Sequence, residues 1–177
     1  AITLARCLDS VAGVVDEVLV YENGAPADST PLARNHGATL VQGFWDDAFA
    51  RARNDALAAV RADWVLSIDA DEYAEGDPAA LRSFVSGLDA AVVALERHDL
   101  LPDSCGSYRF RTPRLFRRAG AVWTRRVHES VDVIDGAGRS GALTHCDPTV
   151  LRLAHDGYVD PASALAKARR NAMIGLG

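Results

Sequence analysis

Asp69, Asp71 and Glu72 are the residues whose types and spacing best suit them to do chemistry. They close the run Trp64-Val65-Leu66-Ser67-Ile68-Asp69-Ala70-Asp71-Glu72, in which apolar side chains give way abruptly to carboxylates. A short apolar run bounded by charge reads as a strand buried on both faces inside a parallel sheet. In open α/β sheets ligands bind beyond the carboxyl ends of the strands, so this strand would be a rigid mount for the acids. Two acids one residue apart can both face a divalent cation. Mg²⁺ prefers oxygen ligands and is commonly held by one or two carboxylates plus substrate phosphates. The same residues also read as a strand ending in a solvated acidic turn. A phosphatase of the aspartyl-phosphate type would place Asp-x-Asp after a strand too, but near the N-terminus and with a small hydroxyl residue close behind. Here Glu72-Tyr73-Ala74 follows.

The segments around the acidic strand alternate in character. Ile2, Leu4, Leu8 and Val11 recur at near-helical spacing and stop at Gly13, and Val14 to Tyr21 reads as a buried strand. Glu22-Asn23-Gly24-Ala25-Pro26-Ala27-Asp28 is a loop by composition, followed by a short helix from Asp28 or Ser29 to His36 and a strand from Ala38 to Val41. A helix from Asp47 to about Ala62 puts Phe49, Ala52, Ala56, Leu57 and Val60 on one face, with Arg53 among them. A buried-side Arg needs a partner: an ion pair with Asp69 or Asp71, or a phosphate-bearing ligand. Asp77 is placed to cap a helix from Pro78 to about Leu88, and Ala90 to Leu95 is another apolar strand. This alternation predicts a doubly wound α/β sheet.

Beyond that point the chain turns basic and β-rich. Tyr108 to Arg111, Arg114 to Arg118, Val122 to Val127, Val131 to Ile134 and Thr149 to Ala154 are short strand-like runs, and a helix begins at Pro161 carrying Lys167, Arg169 and Arg170. The reading is a single domain over residues 1–177, with a nucleotide-type half (1–98) and an irregular half (99–177) that shapes a second site.

Hydrophobic residues at 49% and charged ones at 24% are ordinary globular composition, so disorder is excluded. A net charge of −5 gives no electrostatic reason to expect nucleic acid. Cys7, Cys105 and Cys146 are odd in number and widely spaced, which points to buried thiols in a reducing, cytoplasmic setting. No apolar stretch is long enough to span a bilayer, which leaves peripheral membrane association open.

Several stretches together resemble the family-2 glycosyltransferases, which have a GT-A fold. They are Arg6-Cys7-Leu8-Asp9-Ser10-Val11, Val15-Asp16-Glu17-Val18, Phe49-Ala50-Arg51-Ala52-Arg53-Asn54, the acidic strand itself, Arg114-Leu115-Phe116-Arg117-Arg118, Val127-His128-Glu129 and His155-Asp156-Gly157-Tyr158. The resemblance implies a Rossmann-like, mainly parallel mixed sheet flanked by helices, with a nucleotide-sugar donor in the front half. It implies Mg²⁺ or Mn²⁺ bridging Asp71 and the donor diphosphate, with Asp69 on the ribose or sharing the metal. His155 matches a position where similar enzymes supply a further ligand to the metal or diphosphate. Arg53, with Asn54 beside it, and the group Arg114, Arg117 and Arg118 then become candidates to neutralise diphosphate or hold an acceptor, with a solvated strand edge as the other reading of the group. Inverting transfer needs a carboxylate to take the proton from the attacking hydroxyl. Glu129, beside His128, is the candidate base, with Asp132 and Asp103 behind it. The acceptor would be a carbohydrate, a lipid-linked or another hydroxyl compound, and the oligomeric state is left open.

The pattern departs from the family at two places. The opening strand and Asn-Glu pair of similar enzymes are absent, so the chain is expected to begin inside the fold. The loop after the second strand has Glu22 and Asp28 where a shorter Asp-bounded loop with a hydroxyl residue holds base and ribose. These departures keep a second reading alive: a degenerate GT-A module that binds a nucleotide or partner without turnover. A nucleotidyltransferase would need a Gly-rich, Lys-containing phosphate loop near the N-terminus, and none is present.

Overall fold

A computed structural model describes residues 2–24, 29–101, 106–158 and 160–176. Helix α1 (Ile2–Val11) leads to strand β1 (Leu19–Glu22), helix α2 (Ser29–Asn35) and strand β2 (Thr39–Gln42), which pairs with β1 in parallel. Helix α3 (Phe49–Ala59) precedes strand β3 (Trp64–Leu66), and the acidic turn connects β3 to strand β4 (Glu72–Gly76). Helix α4 (Pro78–Ser86) begins as its sequence predicts, with Asp77 accepting from the backbone N–H groups of Ala79 and Ala80. Then come β5 (Val92–Leu100), β6 (Ser107–Arg117), β7 (Ala121–Thr124), β8 (Ser130–Val133), β9 (Leu143–His145), β10 (Leu151–His155) and helix α5 (Pro161–Leu176).

The main sheet runs β3-β6-β5-β10-β4, with β9 beside β5. Its strands alternate side chains between two cores. Val93, Leu95, Leu115, Leu151 and Leu153 pack with Leu81 of α4 and Cys146. Val92 and Phe116 pack with Ala50 of α3 and with Trp123, Val131 and Val133 of the β7-β8 hairpin. A third core joins Leu8 of α1 and Ala33 of α2 to Ala38 ahead of β2.

Several local expectations shift. The acidic strand is not buried on both faces in a parallel sheet. Among the described residues strand β3 pairs with β6 alone, antiparallel, and is half-buried. Among the described residues parallel pairing is confined to β1-β2, β10-β5 and β5-β9. Helix α3 starts at Phe49 rather than at Asp47: Asp47 accepts from Trp45 Nε1, and Ala48 offers no side-chain cap. The Val14–Tyr21 strand shortens to β1, because the Val11 carbonyl accepts from both Val14 and Val15 and prolongs the end of α1.

The two basic runs of the second half are one strand, β6, continuous across Pro113. A proline lacks the N–H a ladder needs and is tolerated where the ladder is interrupted. Here the register to β5 shifts: Ala94 faces Pro113 while Val93 faces Leu115, leaving Arg114 as the extra residue. Such bulges re-aim side chains.

Between β1 and β3 lies a cavity of about 830 Å³, walled by residues of α1, α3 and α4 and reaching Arg53 and Asp69. Among the described residues β1 and β3 each keep one edge without a strand partner.

Candidate active site

The acidic turn is fixed before any ligand is considered. Glu72 N–H donates to the Asp69 carbonyl at 2.9 Å, and Asp69 N–H donates to Glu72 Oε2 at 2.9 Å, which closes Asp69-Ala70-Asp71-Glu72 on itself. Helix α1 braces it from outside: Cys7 Sγ reaches the Asp69 carbonyl at 3.5 Å, and Ala74 N–H donates to Ser10 Oγ at 2.9 Å.

Strand register then brings the rest together. His155 at the end of β10 lies opposite Glu72 on β4 and opposite Asp99 on β5. Three neighbouring strands thus present a carboxylate, an imidazole and a carboxylate side by side.

Arg114, re-aimed by the bulge, donates through Nη2 to Asp69 Oδ2 at 3.0 Å and to Glu72 Oε1 at 3.1 Å. Its other terminal nitrogen, Nη1, is buried and finds no hydrogen-bond partner among the described residues. Arg53 of α3 donates to Asp69 Oδ1 at 2.7 Å, to Ser67 Oγ at 2.9 Å and to Glu129 Oε1 at 2.8 Å. Its place on the apolar face of α3 is therefore explained by an ion pair with Asp69, and it also carries Glu129 into the cluster across 76 residues of sequence. Burial raises the Asp69 carboxyl, but the Arg114 and Arg53 charges outweigh it and hold the group well below the usual carboxylate range. Glu72 moves the other way, pushed up by burial and by the neighbouring Asp69 charge.

Asp71 points to a different set of partners. Its Oδ2 lies 3.3 Å from His155 Nε2 and accepts from Lys167 Nζ of α5. Burial raises its pKa, but the hydrogen bonds from His155 and Lys167 bring it down to about 2. His155 Nδ1 is 3.1 Å from Asp99 Oδ1, and Asp99 is gripped by Arg97 at 2.6 and 2.9 Å. A carboxylate on one ring nitrogen fixes the imidazole so that the other faces the site, the arrangement common behind metal-bound histidines.

Asp71 Oδ2 and His155 Nε2 therefore offer a divalent cation one oxygen and one nitrogen. Among the described residues no three His, Cys, Asp or Glu side chains gather into a ready-made cage. Two donors suit a cation that keeps several waters and takes further oxygens from a diphosphate. Gly157 leaves the room, since a Cβ there would collide with Asp71 Oδ2, His155 Nε2 and Lys167 Nζ. The donor set and the space fit such a cation.

The remaining candidates are elsewhere. Asn54 donates to the Trp123 carbonyl and accepts from the Trp123 N–H, both at 2.9 Å, so its amide fastens α3 to β7. Glu22 is buried, accepting from Thr30 Oγ1 and from Gln42. Arg117 faces Trp64 at the far end of β3 from Asp69, lies over the Trp64 ring and donates to the Leu88 carbonyl. Arg118 donates to the Ala62 carbonyl. Neither arginine joins the cluster; of that group only Arg114 does. His128 is exposed in a left-handed conformation (φ 53°) just before Glu129. Asp28 and Asp103 lie outside the described residues. Arg97, Asp99 and Lys167 are members that sequence reasoning did not select. Arg97-His98-Asp99 carried a signal, since charge follows the apolar run of β5 much as Asp69 follows that of β3.

The His155 network gives the protein a pH dependence. Burial lowers the imidazole pKa, but hydrogen bonds to Asp71 and Asp99 raise it to about 9. A group raised in the folded state stabilises fully below its unfolded value, near 6.5, and loses that contribution as pH climbs through about 9. The metal-free protein is therefore expected to lose stability of order 3 kcal/mol between these limits. Urea midpoints measured across this window check it, and His155→Gln is expected to flatten the slope.

An α/β fold whose strand ends collect carboxylates and cations in this way is GT-A-like, and comparison with solved structures agrees. The crystal structure of TarS from S. aureus superposes with a TM-score of 0.59 over 97% of this chain and 61% of that one, at 14% identity, a likeness of fold alone. The sequence profile described as glycosyl transferase family 2 matches residues 2–130, and the chain belongs to that family. A TPR repeat-containing protein of Synechococcus elongatus is 36% identical over 132 residues, 73% of this chain and 32% of that protein. An uncharacterized glycosyltransferase of Rickettsia prowazekii is 35% identical over 69 residues, 39% of this chain and 23% of the relative. The chain thus spans about a third or less of the length of these relatives. No helix among the described residues is long and apolar enough to cross a membrane.

Proposed function

We propose that this chain carries the catalytic site of a glycosyltransferase that moves a sugar, with inversion, from a nucleoside-diphosphate donor to a hydroxyl acceptor, assisted by Mg²⁺ or Mn²⁺. One observation carries the reading: Asp71 and His155 converge beside Gly157, with His155 oriented from behind by Asp99. When bound, the cation supplies positive charge to a departing diphosphate. Asp71 and His155 would hold it. Arg53 and Arg114 hold the Asp69 carboxylate in one orientation, where it can accept from a ribose hydroxyl. Glu129, oriented by Arg53, takes the acceptor proton as the hydroxyl oxygen attacks the anomeric carbon.

Thermal shift with UDP, GDP, ADP and CDP, each with and without Mn²⁺, tests this. At a ligand concentration near 100 times Kd, binding is expected to stabilise the protein by about 2.7 kcal/mol. Asp71→Asn is expected to abolish the Mn²⁺-dependent part. No stabilisation by any of the four nucleotides would overturn the reading.

A second reading, a module that binds without turnover, is favoured by the engagement of Glu22 and Asn54 in internal hydrogen bonds. Mn²⁺-dependent nucleotide binding without release of sugar to any acceptor would select it.

A further inference from the structure

Lys167 is the single lysine among the nineteen Lys and Arg residues of the chain, and it sits on the carboxylate assigned to the metal. Helix α5 delivers it. Arg170, one turn on, lies over the Phe49 ring at the start of α3, and Ile174 is buried, so the helix lies across to the α3 side while Lys167 reaches Asp71. The Lys167 ammonium is also 5.3 Å from the Tyr158 ring centre, and that ring packs edge-on against His155. Gly157 makes the approach possible, because any side chain there would occupy the point on which Lys167 Nζ, Asp71 Oδ2 and His155 Nε2 converge. The ammonium thus holds the oxygen that a divalent cation would need.

The residue type matters. An arginine would grip a carboxylate with a planar fork of parallel hydrogen bonds. An ammonium is a compact, strongly hydrated point charge that exchanges one oxygen partner for another without a fixed geometry. A chain that uses arginine for its other basic side chains places its one lysine where a cation must leave when another arrives.

We infer that Lys167 is a cation gate on Asp71: its ammonium neutralises the carboxylate in the donor-free protein, is displaced when a divalent cation arrives, and then pairs with the donor diphosphate. This rests on the reading of Asp71 as a metal ligand. The consequence is coupling. Metal binds poorly alone and well together with a nucleoside diphosphate, since the diphosphate gives the displaced lysine a new partner.

The test is Mn²⁺ binding, read from the electron paramagnetic resonance signal of the free ion. It is measured on the wild-type chain and on Lys167→Met and Lys167→Arg, with and without UDP, GDP, ADP or CDP. Without nucleotide, Lys167→Met is expected to bind Mn²⁺ roughly 1.5- to fivefold more tightly than wild type, the worth of a partly exposed ion pair. Lys167→Arg is expected to bind Mn²⁺ more weakly than wild type. With nucleotide, the advantage of Lys167→Met is expected to disappear. Equal or weaker Mn²⁺ binding by Lys167→Met, beside a wild type that binds Mn²⁺ with nucleotide, would overturn the gate and leave the metal site standing. Absence of Mn²⁺ binding by wild type with every nucleotide would overturn the metal site and the gate together. Circular dichroism confirms that each variant is folded, and the opposite shifts expected of Met and Arg separate gating from general loosening of α5.

Discussion

Arg114→Met is expected to destabilise the protein by about 3–5 kcal/mol, the cost of leaving buried carboxylates without their counter-charge. Arg114 is buried and serves Asp69 and Glu72 at once. Glu72 is fully buried, with Arg97 as a second cation at 3.2 Å. A methionine fills similar volume but brings no charge, so the loss measured is electrostatic more than steric. Urea unfolding of the variant checks the magnitude. Glu72→Gln removes one of the two orphaned charges, so Arg114→Met combined with Glu72→Gln is expected to lose less than the sum of the single changes. Arg117→Met is the comparison within the same strand: its guanidinium only covers Trp64 and one backbone carbonyl, and the loss is expected to stay near 1 kcal/mol or below. A loss that small at Arg114 would mean that the acids are held apart by something other than this guanidinium.

Glu129→Gln is expected to lower kcat by about 10²- to 10⁴-fold, the usual contribution of a positioned general base. Stability is expected to change little, because the glutamine carbonyl still accepts from Arg53 where Glu129 Oε1 now does, 2.8 Å from its Nε. Mn²⁺ binding is expected to be unchanged, since Glu129 is held by Arg53 and not by Asp71 or His155. The measurement is turnover with a nucleotide sugar and an acceptor that together support it, alongside the thermal midpoint. A fall of less than tenfold would remove Glu129 as the base. Asp132 would inherit the role poorly, being exposed in the β7-β8 hairpin and opposite Val122.

The two variants divide the cluster by function. Arg114 holds the acidic turn in shape from beneath, and Arg53 ties that turn to the loop carrying Glu129. Asp71 looks the other way, toward His155, Gly157 and α5.

What the sequence determined by itself is local. The run from Trp64 to Glu72 announced a strand ending in acids, Asp77 before Pro78 announced a helix start, and Arg53 on the apolar face of α3 announced a buried partner. Each follows from side-chain periodicity or from a cap, which involve residues only a few positions apart. The ordered motifs extended this to the family and offered Asp69, Asp71 and His155 as site candidates. Tertiary structure decided the rest. Pro113 looked like a break between two basic runs, but pairing with β5 absorbed it in a bulge and turned Arg114, alone of its group, onto the acids. Asn54 looked like a donor contact until the backbone of Trp123 took both ends of its amide. Asp99 and Lys167 entered only through register and helix docking, by contacts 56 and 96 residues apart in the chain. Such contacts leave no periodic trace, because register between distant strands and the landing point of a helix are set by packing that no short window of sequence contains. The acidic run fixed where carboxylates would stand; the fold alone chose the cations that face each of them.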